Sequence, residues 1–177
     1  MKKWLSPLRY DEMELLICSD SHGNKDNLLR LVKDHPNASH LLFCGDGVQD
    51  LSVLEEIFPT LILVPVLGNC DGFSIRTEIP YERMVEVFGL KILLMHGHTH
   101  GVKGGTDRLL RYGAQCGADI VLFGHTHLPH EENEIIEGKT IWLFNPGSIG
   151  KRELFGYSYG VLTVKENGFL LSHGQYR

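Results

Sequence analysis

Five short apolar segments of this chain each end in a cluster of polar residues. They are LLICS before Asp20-Ser21-His22, LLFC before Gly45-Asp46, LVPVL before Gly68-Asn69-Cys70-Asp71, ILLM before His96-Gly97-His98 and IVLF before Gly124-His125-Thr126-His127. Apolar runs of this length, bounded by glycine and polar residues, are typical of buried strands. Because sites in α/β proteins form at the carboxyl ends of strands, we expect the five clusters to converge on one place.

The segments between these runs predict helices and further strands. Residues 24–34 carry Leu28, Leu29 and Val32 at helical spacing, residues 49–58 are expected to form a helix between two strands, and residues 104–117 form a third predicted helix. In the first half, strand and helix alternate, which predicts parallel pairing. In the second half, residues 84–88 and 91–95 predict a hairpin about Gly89, and four more strands follow residue 130. We therefore expect mixed sheets flanked by helices.

Composition limits the class of protein. The chain has 177 residues, 42% of them hydrophobic, and a net charge of -5. This profile predicts a single domain over residues 13–177, preceded by an extension over residues 1–12 that lacks the apolar core of a signal peptide. The longest apolar stretch, residues 61–68, is far shorter than the roughly 20 residues of a membrane span. The acidic balance argues against a stable nucleic-acid partner.

The spacing of the four cysteines bears on the cellular compartment of the protein more than on its function. They form no C-x-x-C pair, which argues against a zinc knuckle or a small disulfide scaffold. We interpret the chain as cytoplasmic, in a reducing compartment. Cys18, Cys44 and Cys116 are expected to be small buried hydrophobic residues.

The polar clusters supply the ligand types of a transition-metal site. Carboxylate, amide and imidazole together suit manganese, iron, cobalt, nickel or zinc better than magnesium or calcium. The candidate ligands are Asp20, His22, Asp46, Asn69, His96, His125 and His127. Seven donors exceed one four-coordinate site, so we expect two divalent ions per chain, with Asp46 able to bridge them. Manganese is our first expectation for the metal.

The order of these motifs resembles that of the calcineurin-like metallophosphoesterase superfamily, and the chain is similar to its small bacterial and archaeal phosphodiesterase branch. The resemblance covers about residues 13–152. It implies an α/β fold, a four-layer αββα sandwich of two mixed β-sheets flanked by helices. It also implies Asp20, His22, Asp46 and His127 on the first metal, with Asn69, His96, His125 and the shared Asp46 on the second.

The same resemblance implies hydrolysis of a small phosphorylated or nucleotide substrate. Two cations about 3.5 to 4 Å apart would neutralise the phosphate and activate a bridging hydroxide that attacks phosphorus in line. The predicted catalytic residues are Asp46, Asn69, Cys70, Asp71 and His98. Asn69 and Arg152 are the predicted substrate-binding residues, the latter beside Lys151.

Cys70 departs from the superfamily pattern, which usually has histidine at this position. A thiol is a weak hydrogen-bond donor, so either good leaving groups are favoured or His98 or a metal-bound water serves as the acid. An exposed loop position is the alternative for His98. Asp71 either caps the following turn or orients a ligand.

Two other functions stay open at this point. The fold also occurs in a non-catalytic protein-binding scaffold, the metallophosphoesterase-like subunit of the retromer coat, but that branch lacks parts of the ligand set. A protein phosphatase would normally need the histidine that Cys70 replaces. The sequence leaves a homo-oligomer open.

Overall fold

The fold was examined in a computed structural model that describes residues 12–72, 78–153 and 156–177. The expected N-terminal extension lies outside the described residues except for Glu12, which opens the first strand. The elements, in chain order, are β1 (Glu12–Cys18), α1 (Lys25–Asp34), β2 (His40–Phe43), α2 (Ser52–Ile57), β3 (Ile62–Pro65), β4 (Glu82–Val87), β5 (Leu90–Met95), α3 (Asp107–Gln115), β6 (Ile120–Leu122), β7 (Pro129–Ile136), β8 (Lys139–Pro146), β9 (Tyr157–Lys165) and β10 (Gly168–Tyr176).

The strands form two mixed sheets of five strands each. The first sheet has the order β10-β9-β1-β2-β3. Strands β1, β2 and β3 are parallel, and β9 is antiparallel to both of its neighbours, β1 and β10. The second sheet has the order β4-β5-β6-β8-β7, in which β5, β6 and β8 are parallel. The parallel strands therefore end together, as the sequence pattern predicts.

Alternating residues of the buried strands face two different cores. Leu15 and Ile17 of β1 enter the core between the sheets, whereas Leu16 and Cys18 face α1 and α2. On the second sheet, Val121 faces a third core that includes residues of α3. The layers are helix, sheet, sheet and helix, which confirms the predicted αββα sandwich.

The helices begin and end for local reasons. Asn24 caps α1 by accepting a hydrogen bond from the Asn27 N–H at 3.2 Å. Helix α3 is shorter than predicted because residues 102–104 form a 3-10 turn and Gly105 has a φ of 142°. None of the described helices has the length and apolar character needed to span a membrane.

The prediction for one cysteine was wrong. Cys18 and Cys44 are buried in strand-end positions, as expected, but Cys116 is exposed. Cys116 follows the last residue of α3, before Gly117 with a φ of 73°, and it is the next residue, Ala118, that is buried in the core.

Candidate metal centre

One group of predicted ligands gathers around the carboxylate of Asp20. Its Oδ1 atom lies 3.1 Å from Nε2 of His127 and 3.6 Å from Nε2 of His22, and these two nitrogens are 3.4 Å apart. The other oxygen, Oδ2, accepts hydrogen bonds from the Ser19 hydroxyl at 2.6 Å and the His125 N–H at 3.1 Å. The carboxylate is thus held from behind, and Oδ1 faces the two imidazoles.

A second group gathers around Asp46. Its Oδ2 atom lies 3.4 Å from Nε2 of His96, and that nitrogen is 3.1 Å from Oδ1 of Asn69. The Asp46 Oδ2 atom is also 3.9 Å from Nε2 of His22, which links the two groups. The His125 ring lies 5.1 Å from the His96 ring, centroid to centroid. The seven predicted donors therefore lie together at one end of both sheets.

In both groups, oxygen and nitrogen atoms that accept hydrogen bonds face one another, and few donors lie between them. Among the described residues, no hydrogen bond of good geometry reaches the buried Asp20 Oδ1 atom, although Nε2 of His127 lies 3.1 Å away. His96 donates its Nδ1 proton to the Cys44 carbonyl at 2.7 Å, so neutral His96 turns an Nε2 lone pair toward the oxygens of Asp46 and Asn69. Buried acceptors that face acceptors are costly unless a cation lies between them. The donor set therefore fits divalent metal ions.

The backbone at the candidate ligands is strained. The described non-glycine residues with positive φ include five of the seven predicted ligands: Asp20, His22, Asp46, His125 and His127, with φ from 43° to 67°. Left-handed conformations are uncommon for residues with side chains and cluster at functional sites. The conformation turns these side chains toward the centre directly after each strand ends.

Close backbone approach also shapes the site. A Cβ atom at Gly68 would lie 2.1 Å from Oδ1 of Asp46, and one at Gly45 would lie 2.7 Å from the Gly68 nitrogen. Such distances leave no room for a side chain. The glycines that precede Asp46 and Asn69 are therefore required by the packing of the two loops.

Asp71 has a clear structural role. Its Oδ2 atom accepts the backbone N–H groups of Asp46 and Gly68, each at 2.8 Å, and Oδ1 accepts those of Gly47 and Val48 at 2.8 and 2.9 Å. This buried carboxylate joins the loop after β2 to the loop after β3. Asp71 contacts backbone and not the ligand imidazoles, so it positions Asp46 through the main chain.

The two ligand carboxylates are stabilised in their charged form. Burial alone would raise the pKa of Asp20, but His127 and His22 beside it hold that pKa well below its usual range. Burial likewise opposes ionisation of Asp46, and its contact with His96 nevertheless lowers its pKa to about 2. Both aspartates are therefore anionic at neutral pH.

The pKa values of the imidazoles shift in opposite directions. Burial favours neutral His96, but contact with Asp46 raises its pKa above the usual value. Contact with Asp20 raises the pKa of His127. Burial and the neighbouring His96 lower the pKa of His125 to about 4. The carboxylates beside His96 and His127 therefore favour the protonated form of each ring.

Of the remaining predicted residues, Cys70 and His98 lie beside the centre. Cys70 is exposed, and its N–H donates to Oδ1 of Asp46 at 2.7 Å. His98 is half-buried, with its ring 5.4 Å from that of His96, so the exposed-loop alternative does not describe it fully. Arg152 is exposed on the loop after β8.

Sequence reasoning missed the residues that hold the centre from outside. Asn145 donates to the Gly124 carbonyl at 2.9 Å, and Ser148 donates to the Asp20 carbonyl at 2.9 Å. Glu153 lies 3.4 Å from His127. Residues 145–148 (NPGS) do resemble a loop that the superfamily places beside the site, with a plain Pro-Gly turn as the alternative, but nothing in the sequence distinguished Glu153.

Comparison with known proteins identifies the family. The sequence profile of the calcineurin-like phosphoesterase superfamily domain matches residues 13–167. The chain belongs to this superfamily. It is 35% identical over 158 residues to the probable metallophosphoesterase YsnB of Bacillus subtilis, an alignment that covers 88% of this chain and 86% of YsnB. The resemblance drawn from the motifs is confirmed.

Solved structures within the superfamily share the fold. YfcE, a phosphoesterase from Escherichia coli, superposes with a TM-score of 0.61 at 26% identity, over 85% of this chain and 88% of YfcE. Vacuolar protein sorting 29 from Cryptosporidium parvum gives a TM-score of 0.76 at 21% identity, over 94% of this chain and 93% of that chain. The latter likeness concerns the fold alone.

Proposed function

We propose that this chain is a dinuclear metal-dependent phosphoesterase that hydrolyses diesters of small phosphorylated molecules or nucleotides, with monoesters as slower substrates. The strongest support comes from the two groups of side chains around Asp20 and Asp46, which are linked through His22. In each group, hydrogen-bond acceptors face one another with few donors between them. Membership of the calcineurin-like phosphoesterase superfamily supports the reaction class. A relative 25% identical over 158 residues is named phosphodiesterase YfcE, which favours diesters.

Each ligand group would hold one divalent ion, for which manganese is the first expectation. Asp20, His22 and His127 would hold the first ion, Asn69, His96 and His125 the second, and Asp46 would contact both. When bound, such ions neutralise phosphoryl oxygens and acidify the attacking water.

The residues of this chain would divide the remaining tasks. Asp46 is held on one side by the Cys70 N–H and lies between the two groups, so its charge keeps them together. The exposed cations Lys151 and Arg152 are available at the rim to bind phosphoryl oxygens. Burial and the neighbouring Asp46 raise the pKa of the Cys70 thiol, which therefore stays protonated but donates weakly.

The non-catalytic scaffold is our second candidate. The fold shared with vacuolar protein sorting 29 makes a protein-binding role compatible with the architecture. We place it second because a scaffold has no need for an unpartnered buried carboxylate oxygen at Asp20 or for strained backbone at five predicted ligands.

Metal-dependent hydrolysis tests the proposal directly. Protein stripped with EDTA is assayed on bis-p-nitrophenyl phosphate and p-nitrophenyl phosphate after addition of Mn²⁺, Zn²⁺, Co²⁺ or Ni²⁺. We expect activity only with metal and faster cleavage of the diester. Asp46→Asn should lower kcat/KM by about 10² to 10³-fold, because it removes the shared charge. The exposed Asp26→Asn serves as the matched control. Absence of hydrolysis with every metal, or wild-type turnover by Asp46→Asn, would contradict the proposal.

A further inference from the structure

Glu153 lies beside the outer nitrogen of a candidate metal ligand. Its Oε1 atom is 3.4 Å from Nδ1 of His127, and Nε2 of the same ring is 3.1 Å from Oδ1 of Asp20. The imidazole therefore stands between two carboxylates. One belongs to the candidate centre, and the other reaches it from the loop after β8.

This placement selects one form of the ring. A carboxylate beside Nδ1 favours the tautomer that carries its proton there, which leaves the Nε2 lone pair free to face the centre. An anionic partner also makes the imidazole a stronger electron donor. His127 is thus prepared as an Nε2 ligand before any ion binds.

In the group around Asp46, the imidazole of His96 is oriented by a different kind of partner. Nδ1 of His96 donates to the Cys44 carbonyl at 2.7 Å, so a neutral backbone group performs the same task there. The His96 side chain is fully buried, whereas those of His127 and Glu153 are 19% and 38% exposed. One imidazole is held rigidly inside the fold, and the other depends on a single side chain at the rim.

The fold fixes the segment that carries Glu153. The N–H groups of Ile149 and Gly150 donate to the carbonyls of Ser19 and Asp20, each at 3.1 Å. Gly150 lies so close to the chain after β1 that a Cβ atom there would be 1.9 Å from the Ser21 carbonyl oxygen. Glu153 and Gly156 then exchange two backbone hydrogen bonds. The position of Glu153 therefore follows from the same backbone that positions Asp20.

We propose that Glu153 is a positioning residue whose carboxylate orients His127 and strengthens divalent-metal binding at the Asp20–His22–His127 group. This inference rests on the metal centre of the proposed function. Partners of ligand imidazoles typically contribute 10- to 100-fold in metal affinity. Because water screens a rim residue, the contribution of Glu153 lies near the lower end, about tenfold.

Binding of Mn²⁺ to the metal-free protein, followed by the electron paramagnetic resonance signal of the free ion, tests this role without measuring activity. Glu153→Ala should weaken binding of one of the two ions about tenfold. Glu153→Gln keeps an acceptor oxygen and should weaken it less. The control is Glu166→Gln, in the turn between β9 and β10 at the opposite end of the sheet, which should leave both affinities within about twofold of wild type.

A double-mutant cycle separates positioning from a general effect on the fold. In a His127→Ala background, Glu153→Ala should cause no further loss, because its partner is already absent. Equal weakening of both ions, an additive loss in the double variant, or unchanged binding in Glu153→Ala would each overturn the role. Wild-type protein that binds no Mn²⁺ would refute the proposed centre as well, whereas two-ion binding that ignores Glu153 refutes this inference alone.

Discussion

Cys70 stands where the sequence of this chain departs from the superfamily pattern. Its backbone N–H donates to Oδ1 of Asp46, and its thiol is exposed at the edge of the centre. The Asn69 side-chain amide donates to Sγ at 3.3 Å. The residue is therefore fixed by its backbone, while its side chain offers the reaction only a weak proton donor.

The rate of ester hydrolysis should accordingly depend steeply on the pKa of the leaving group. General acid catalysis typically contributes about 10² to 10⁴-fold, and a leaving oxygen without that help must depart as an anion. Cys70→His should raise the rate on poor leaving groups by up to about 10²-fold. It should also make the rate depend less steeply on the pKa of the leaving group. The measurement is kcat/KM over a series of substituted phenyl esters for wild type, Cys70→Ala and Cys70→His.

Cys116→Ala supplies the control for Cys70, because it removes another exposed thiol away from the centre. If the wild-type dependence is shallow and steepens in Cys70→Ala, the thiol or its surroundings already supplies the proton and our interpretation fails. If Cys70→His only lowers metal content, Cys70 is a compact residue that the turn requires.

At the scale of elements, the loops after β2 and β3 behave as one unit. Four backbone N–H groups from the two loops meet on the Asp71 carboxylate, and Gly45 packs directly against Gly68. Asp46 and Asn69 follow different strands, yet their relative positions are set by this junction.

Asp71→Asn should therefore destabilise the metal-free protein. An asparagine keeps one acceptor oxygen but points its amide protons at two backbone donors, and hydrogen bonds to charged groups contribute about 1.5 to 3 kcal/mol each. We expect a loss of about 3 kcal/mol in the free energy of unfolding, measured with urea. The exposed Asp26→Asn should change it by less than about 0.5 kcal/mol. Equal stability of the two variants would show that the junction does not depend on the charge of Asp71.

The sequence predicted the elements better than the contacts between them. The short apolar runs bounded by glycine and polar residues located the parallel strands, because strand burial and turn chemistry are local properties. The N-terminal ends of β4 and β7 lie two residues earlier than predicted, since pairing with β5 and β8 extends them through polar residues. The partners of Asp71 and Glu153 depend on long-range geometry, which no spacing in a single sequence reveals.

At the scale of the whole molecule, the candidate centre joins the two sheets. Asp20, Asp46 and Asn69 follow strands of the first sheet, and His96 and His127 follow strands of the second. Contacts between these side chains therefore contribute to holding the sheets together, and their protonation affects the stability of the entire fold.

The metal-free protein should be most stabilised by the Asp46–His96 pair between about pH 4 and 6.5. The folded-state pKa of Asp46 is lowered from 3.8 to about 2, so its contribution is present above pH 4 and lost as the pH falls toward 2. The folded-state pKa of His96 is raised above 6.5, so its contribution is present below that pH and lost as the pH rises through the folded-state value.

Urea unfolding across this pH range provides the test. Lowering the pH from 5 to 2 should remove about 2 kcal/mol through Asp46, at 1.36 kcal/mol per unit of pKa. His96→Gln should weaken the change in the free energy of unfolding with pH, both below about pH 4 and above about pH 6.5. His130→Gln, on β7, should preserve both changes. Identical pH profiles for wild type and His96→Gln would show that the pair does not couple proton binding to folding.

The left-handed backbone at five predicted ligands sets stability against site chemistry. Glycine adopts such conformations readily, whereas a side chain there costs of order 1 kcal/mol or more. Asp20, His22, Asp46, His125 and His127 therefore stand at positions where glycine would relieve strain and remove a candidate ligand. A variant with glycine at one of them could gain stability while its candidate centre lost a donor, which is the exchange expected where a fold gives up stability for a site.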